Sequence, residues 1–509
     1  MTRQHSHTWL PTLLRLALAA LWLLAAAIAL EVHARLWERT LEARATTRFA
    51  LEQDAAERRD QALLDEAMAW LPQDPKRAMP SREAFLTRDE AGRRDLAADR
   101  SELFLLADAT AVLQAIYCPP VPPQLAALAE RVHVGEPLWL LFDDASALSD
   151  ARGAFRVATD GASMGGRDYP FYLREGQEYF AEATFMPLNE GIEGSDVILS
   201  LSPSTYKRPA FSFQPNVYRG EGFPRYEFYT NSHGFRDDEV ALPKPQGGCR
   251  ILCIGGSTTV LGLRNELTYP NLVERMLREH FHTDRIEVVN CGVSGLGTDG
   301  QREQVHSYLA LEPDLMLFYV FFNDITNNYH EFLTVWAANA GLLPRIKRFL
   351  STSSFLYWNL DIALLPPEEE LIRFFDQGTL ANLRAMAAEA EQAGTDMAVC
   401  SFAGPDLRND RHVRAFFEYQ LLRTHGRHWG MTARAYQHVL RLFNRRIEVI
   451  SEQEGWLYVP VAEHMQGAIG VFSDLCHVYQ DARRHKATIV ADYLKNYVAE
   501  RLGKAVPSP

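Results

Sequence analysis

From Arg250 to the C-terminus the chain alternates short apolar runs with amphipathic stretches, which implies a parallel sheet covered by helices. Arg250–Ile254 reads as a strand leading into a glycine-rich turn. Tyr269–His280 has helical periodicity, and Ile286–Cys291 is a second strand followed by a helix through Leu309. Asp314–Phe322 (DLMLFYVFF) is nearly unbroken in apolar character, as a parallel strand buried on both faces should be. Met397–Phe402 and Trp456–Val461 supply two more strands, each preceded by a helix, and Ala482–Leu502 a terminal helix. In such sheets ligands sit at the carboxyl ends of the strands.

The rest of the chain is organised differently. Leu16–Leu30 is an unbroken apolar run, and Leu10–Leu30 as one helix would be about 31 Å long, close to the thickness of a hydrocarbon core. Arg3 and Arg15 lie on its N-terminal side, with no acidic residue before Glu31. The expectation is a signal-anchor at 10–30, with residues 1–9 cytoplasmic and the rest on the periplasmic side of the cytoplasmic membrane. A cleaved signal peptide is the rival reading, since Ala25-Ala26-Ala27 and Ala27-Ile28-Ala29 are small-residue sites. Glu31–Leu71 has no Gly or Pro and favours a long helix, which Pro72, Pro75 and Pro80 break. A second helical stretch is expected to Tyr117, so that 31–123 forms a helical stalk or linker ending in Pro119-Pro120-Val121-Pro122-Pro123. Residues 132–216 carry short apolar runs between Gly, Asp, Asn and Pro, the texture of a small β-sandwich.

Apolar content of 47% with 23% charged residues is that of a globular chain. A formal charge of −13 argues against a nucleic-acid or anionic-membrane surface as the main partner, and no Lys/Arg-rich run of the kind that tracks phosphates is present. The six cysteines show no CxxC spacing and hence no zinc signature, and Cys253, Cys291 and Cys400 fall inside strand-like runs as small core residues.

Four blocks carry candidate chemistry. Gly255-Gly256-Ser257-Thr258-Thr259 closes the first strand; it lacks the Gly-Lys-Ser/Thr of a phosphate-binding loop. Asn290-Cys291-Gly292-Val293-Ser294-Gly295 follows the second strand, Phe322-Asn323-Asp324 the third, and Asp474-Leu475-Cys476-His477 precedes the last helix. Each has a plain structural reading. Ser257 could cap a helix, Gly295 make a turn, Asn323-Asp324 close a strand, Asp474 cap a helical turn, and His477 be one surface histidine of 16. Their joint occurrence in this order resembles the SGNH hydrolases, the GDSL-type esterases and lipases, over roughly residues 230–503. Thr230-Asn231-Ser232-His233-Gly234-Phe235-Arg236 and Leu267-Thr268-Tyr269-Pro270 also look like lead-in segments of exported members.

The resemblance implies an SGNH-type (flavodoxin-like) three-layer α/β/α domain, preceded here by the membrane helix, the stalk and the β unit. It implies Ser257 as nucleophile, His477 as base and Asp474 as the orienting carboxylate. The oxyanion donors it implies are the backbone N–H groups of Ser257 and Gly295 and the Asn323 side chain. No metal or organic cofactor is implied. The chain departs from the family's Gly-x-Asn-Asp by placing Phe321 where glycine is usual, and from its Gly-Asp-Ser by Gly256. His330, His464 and His485 are rivals to His477, but none has an Asp at the same offset. An insertion at about 325–370, with Phe332, Trp336, Phe349, Phe355, Tyr357 and Trp358, is either a lid or a helical excursion burying its own aromatics. The expected activity is hydrolysis of a carboxylic ester, with an acylated envelope or secreted polysaccharide as substrate. Acyl transfer by the same triad, or glycan binding without catalysis, are the alternatives.

Overall fold

The computed structural model describes residues 9–74, 224–339, 341–350, 353–407, 411–425, 430–465 and 467–503, together with strand segments between 86 and 219. Arg3, Cys118 and the Pro119–Pro123 cluster lie outside the described residues.

Helix α1 (Trp9–Ala67) continues without a break from the apolar run into the charged stretch, as the absence of Gly and interior Pro requires. Its span Leu14–Leu41 has mean hydropathy 2.0 and is the one described helix long and apolar enough to cross a membrane. Beyond it, strands at Leu86–Arg88, Arg94–Leu96 and β1 (Leu103–Leu106) occupy part of the stretch for which a second helix was expected. Short apolar runs do not distinguish the two states by periodicity. Four further strands follow: β2 (Leu138–Phe142), β3 (Arg167–Arg174), β4 (Gln177–Pro187) and β5 (Val197–Pro203). They join β1 in one five-stranded sheet of order β1-β2-β5-β4-β3, parallel at β1/β2 and antiparallel elsewhere.

The C-terminal half alternates as its sequence requires. Strand β6 (Cys249–Gly255) leads into α2 (Ser257–Val260), then α3 (Tyr269–Phe281) and β7 (Ile286–Gly292). Strand β8 (Leu315–Tyr319) is followed by α4 (Phe322–Asn339), α5 (Leu342–Leu350) and α6 (Ser354–Asn359). Then come α7 (Ala381–Gln392), β9 (Asp396–Cys400), α8 (Arg411–His425), α9 (Ala433–Glu454) and β10 (Leu457–Val459). The last elements are β11 (Ala468–Phe472) and α10 (Gln480–Leu502). Five strands form a parallel sheet of order β7-β6-β8-β9-β10. Every residue of β6 and β8 is buried, which explains why both read as nearly continuous apolar runs. The helices end where local chemistry dictates. Thr432 caps α9 by accepting the Ala435 N–H at 3.1 Å, and Gly455 (φ 71°) stops it in the left-handed conformation.

By internal packing the chain forms two units. One comprises residues 1–63, 297–302 and 315–495, the other 64–296, 303–314 and 496–509. In the first unit the insertion is helical, and its aromatics divide. Tyr357 and Trp358 are buried with Leu41 of α1 and Ala415, and Trp358 meets Trp37 edge-on at 4.8 Å. They therefore serve as core against α1 rather than as pocket lining. Among the described residues Cys249, Cys253, Cys291, Cys400 and Cys476 are buried thiols, with no disulfide between them.

Buried charge concentrates behind the insertion. Asp361, 1% exposed at its side chain, accepts from Thr432 Oγ1 at 2.6 Å, from Arg414 Nη2 and Arg434 Nε at 3.1 Å each, and from Arg434 Nη2. Removing it takes the carboxylate from Arg434, while Arg414 keeps Glu418 Oε1 and Trp358 O at 3.1 Å each. Asp361→Ala should cost ~3 kcal/mol, the low end for a broken buried pair because Arg434 keeps some access to water; the guanidinium-chloride midpoint measures it. Nearby, burial pushes the Glu418 carboxyl up to about 7 despite Arg414 and the Ala433 N–H. In the second unit burial likewise raises Asp237 and Glu274. A carboxyl raised in the fold stabilises below its unfolded value and loses that contribution as pH rises through its folded value. The thermal midpoint should therefore fall between about pH 5 and about pH 8, with a shallower slope in Glu418→Gln.

Candidate functional site

The second unit holds the serine block. The N-cap of α2 is Gly256, so Ser257 is the first helical residue and not the cap. It stands half-buried just past the carboxyl end of β6. The neighbouring strand ends at Gly292, where a Cβ would lie 2.6 Å from Val260 N and 2.8 Å from Thr259 Cβ. Only glycine lets β7 finish so close to α2. Gly295 is required for another reason: its φ is 80° while the space around it is open.

Arg236, the last residue of the lead-in segment, and Asp237 just after it fix this block, and sequence reasoning gave them no role. Arg236, 2% exposed, donates to the carbonyls of Val260 (2.7 Å) and Gly262 (2.9 Å), so it holds the backbone that leaves α2. It also donates to Glu227 O and Asn265 Oδ1. Asp237 accepts the Asn290 N–H at 2.7 Å and the Asn271 amide at 2.8 Å, tying the segment to the end of β7. A conspicuous Arg-Asp pair after Gly-Phe was the available signal; its long-range partners were not readable.

The first unit holds the other candidates. Asn323 lies in the first turn of α4, half-buried. Its neighbour Asp324, buried, accepts from the Thr298 N–H at 3.0 Å, the Thr298 hydroxyl and the Phe321 N–H at 3.3 Å. Burial raises its carboxyl pKa against these hydrogen bonds. Asp324 thus acts as a brace for the block after β8.

Asp474 and His477 are brought together in one loop. Asp474 Oδ1 accepts the N–H groups of Cys476 and His477 at 2.8 Å each, and Oδ2 lies 2.6 Å from His477 Nδ1. Burial pushes Asp474 up, but the imidazole and the two amides outweigh it and hold the carboxyl below its usual range. An ionised carboxylate only accepts, so the proton between them belongs to His477 Nδ1. The loop is closed by a Phe472–Val478 bridge and the Ser473 N–H to His477 O bond at 2.9 Å. Helix α1 brackets it: Arg59 donates to Gly470 O at 2.9 Å, and Asp60 accepts the Gln480 N–H at 2.7 Å. Asp474, Cys476 and His477 offer O, S and N atoms within 4.8 Å of one another. They fit a metal poorly, because both carboxylate oxygens are engaged and burial raises the Cys476 thiol, whose ligand form is the thiolate. Of the rival histidines, His464 contacts Tyr493 OH at 3.1 Å and His485 donates to His464 O at 3.3 Å, both exposed.

The model of the GDSL-like lipase/acylhydrolase family matches residues 253–479, a stretch that includes Ser257, Gly295, Asn323, Asp474 and His477. This segment is a GDSL-like lipase/acylhydrolase domain. The chain is accordingly a carboxylic ester hydrolase. No curated protein matches the sequence. Solved structures similar to it include a putative lipolytic protein of the G-D-S-L family from Desulfitobacterium hafniense (13% identity, 48% of this chain and 100% of that one, TM-score 0.30). A putative GDSL-like lipase from Parabacteroides merdae is 16% identical over 52% of this chain and 98% of its own, TM-score 0.32. An acetylxylan esterase from Geobacillus stearothermophilus is 15% identical over 52% and 100%, TM-score 0.31.

One feature of the GDSL-like domain explains a departure noted in the sequence. Phe321 has φ 110°, a conformation that disfavours side chains and suits the glycine usual at this position. The ring is buried and meets Phe375 at 5.4 Å. Packing therefore holds a backbone that costs about 1–3 kcal/mol in a non-glycine residue. Phe321→Ala keeps the strain and loses the packing, whereas Phe321→Gly loses only the packing. Phe321→Gly should thus be the more stable of the two by ~1 kcal/mol or more, the reverse of the usual order. Paired denaturation curves test this.

Proposed function

We propose that the domain hydrolyses its ester through an acyl-serine intermediate, with Ser257 as nucleophile, His477 as base and Asp474 as its orienting partner. The observation that carries this is the Asp474–His477 pair, in which the carboxylate is ionised and fixes the Nδ1 proton, leaving the base role to Nε2. A serine hydroxyl needs such a base at neutral pH. Ser257 Oγ attacks the carbonyl carbon as its proton passes to His477. The tetrahedral intermediate expels the alcohol, which takes that proton. Water then attacks the acyl-serine by the same route and releases the carboxylic acid. The Ser257 and Gly295 N–H groups and the Asn323 amide are assigned to the oxyanion; Asp324, bonded to Thr298 and the Phe321 N–H, supports the Asn323 assignment.

The proposed substrate is an acetyl or other short acyl ester on an envelope or secreted glycan. With α1 as a single-pass anchor, N-terminus inside, the domain would work on the periplasmic face of the cytoplasmic membrane. The apolar helix and the absence of acidic residues before Glu31 support this placement.

The full chain should turn over p-nitrophenyl acetate, and Ser257→Ala should abolish it. Asn323→Ala should reduce kcat by on the order of 10²–10³. Undiminished turnover in folded Ser257→Ala would overturn the mechanism. Product appearing on an added sugar hydroxyl faster than free acetate forms would convert the reading to acyl transfer.

A further inference from the structure

Outside α1, Leu342 (74%) and Phe349 (73%) are the most exposed large apolar side chains among the described residues. Both belong to α5, together with Ile346 at 41%. Positions 342, 346 and 349 are spaced i, i+4, i+7 and so share one helix face. The same nine-residue helix carries Arg345, Lys347 and Arg348 and no acidic residue. Burying apolar groups while displaying cations is the pattern of a helix that lies in a lipid interface.

Its location makes the same point. Glu31 is the first charged residue after the unbroken apolar run of α1. Its carboxylate accepts from Ser353 Oγ at 2.7 Å and from the N–H groups of Ser354 and Phe355 at 3.1 Å each, so it closes the N-terminus of α6. About two turns later Glu38 accepts from Trp358 Nε1 at 2.7 Å and Ser354 Oγ at 3.2 Å. The start of α6 is therefore fastened to α1 at the end of its apolar half. Phe349 is four residues before Ser353, which places it within about 14 Å of that point. The cations of α5 also meet backbone and hydroxyl groups of the insertion. Lys347 donates to Leu365 O at 2.8 Å, Arg348 to Thr334 Oγ1 at 3.0 Å and Arg345 to Ala338 O at 3.2 Å.

We propose that α5 is an interfacial helix, seating Leu342, Ile346 and Phe349 in the lipid surface of the bilayer that α1 crosses and setting its basic residues among anionic headgroups. This rests on α1 being a membrane helix, and two label positions separate the claims. Full-length protein with Cys118→Ser, bearing one added cysteine at Phe349, Leu342, Trp22 or Gln392, is labelled with a polarity-sensitive fluorophore. It is then placed in nanodiscs of phosphatidylcholine and phosphatidylglycerol containing a lipid with a nitroxide near the top of its acyl chain. Phe349 and Leu342 are exposed, so these substitutions leave the core untouched, and circular dichroism checks each variant. Nitroxide quenching several-fold greater at Phe349→Cys and Leu342→Cys than at Gln392→Cys is the expected result. Quenching at Trp22→Cys with none at the two α5 positions would overturn the interfacial helix alone, and leave that face to a protein partner. No quenching at Trp22→Cys would overturn the membrane reading and this proposal with it.

Discussion

A parallel sheet covered on both faces has no wet side, so its strands cannot carry polar side chains without partners inside. That dryness sorts the C-terminal half of the chain. CRILCIG and LMLFY are buried throughout, and polar chemistry is displaced to the residues immediately after the strands. Ser257 follows β6, Gly295 lies beyond β7, and Asn323 begins the helix after β8. The glycines there answer separate demands: space at Gly292, conformation at Gly295.

The same sorting accounts for what could be read in the sequence. Strands buried on both faces announce themselves as apolar runs, so all five strands of the sheet were legible, although β8 stops at Tyr319 where the apolar run continues to Phe322 in α4. The Asp474–His477 pair was legible because its geometry is local, a three-residue offset within one loop. The braces were not. Arg236 reaches Val260, Asp237 reaches Asn290, Asp324 reaches Thr298 and Asp60 reaches Gln480. Each of these links is a tertiary contact between residues 24 to 420 apart, and nothing in periodicity or spacing encodes it. Tyr357 and Trp358 fit the plainer of the two readings of the insertion. Aromatics in a long insertion invite a functional reading, yet these two serve the core against Leu41.

Phe321 shows how a local rule and a tertiary demand can conflict. The backbone after β8 needs a conformation natural to glycine, and Asp324 holds it there through the Phe321 N–H. The ring's burial against Phe375 offsets the strain. A residue that looked like a defect in the motif is accommodated by its neighbours, with Asn323 still at the head of α4.

Helix α1 joins an apolar half to a half that grips the first unit at Glu31, Glu38, Arg59 and Asp60. A domain fastened in this way does not swing on a tether. Under the proposed anchoring of α1 in a bilayer, the Asp474–His477 loop would travel at a fixed height above the lipid, and its search for substrate would become two-dimensional. Encounter rates would then depend on lateral diffusion and on the local density of esters in that layer rather than on their bulk concentration.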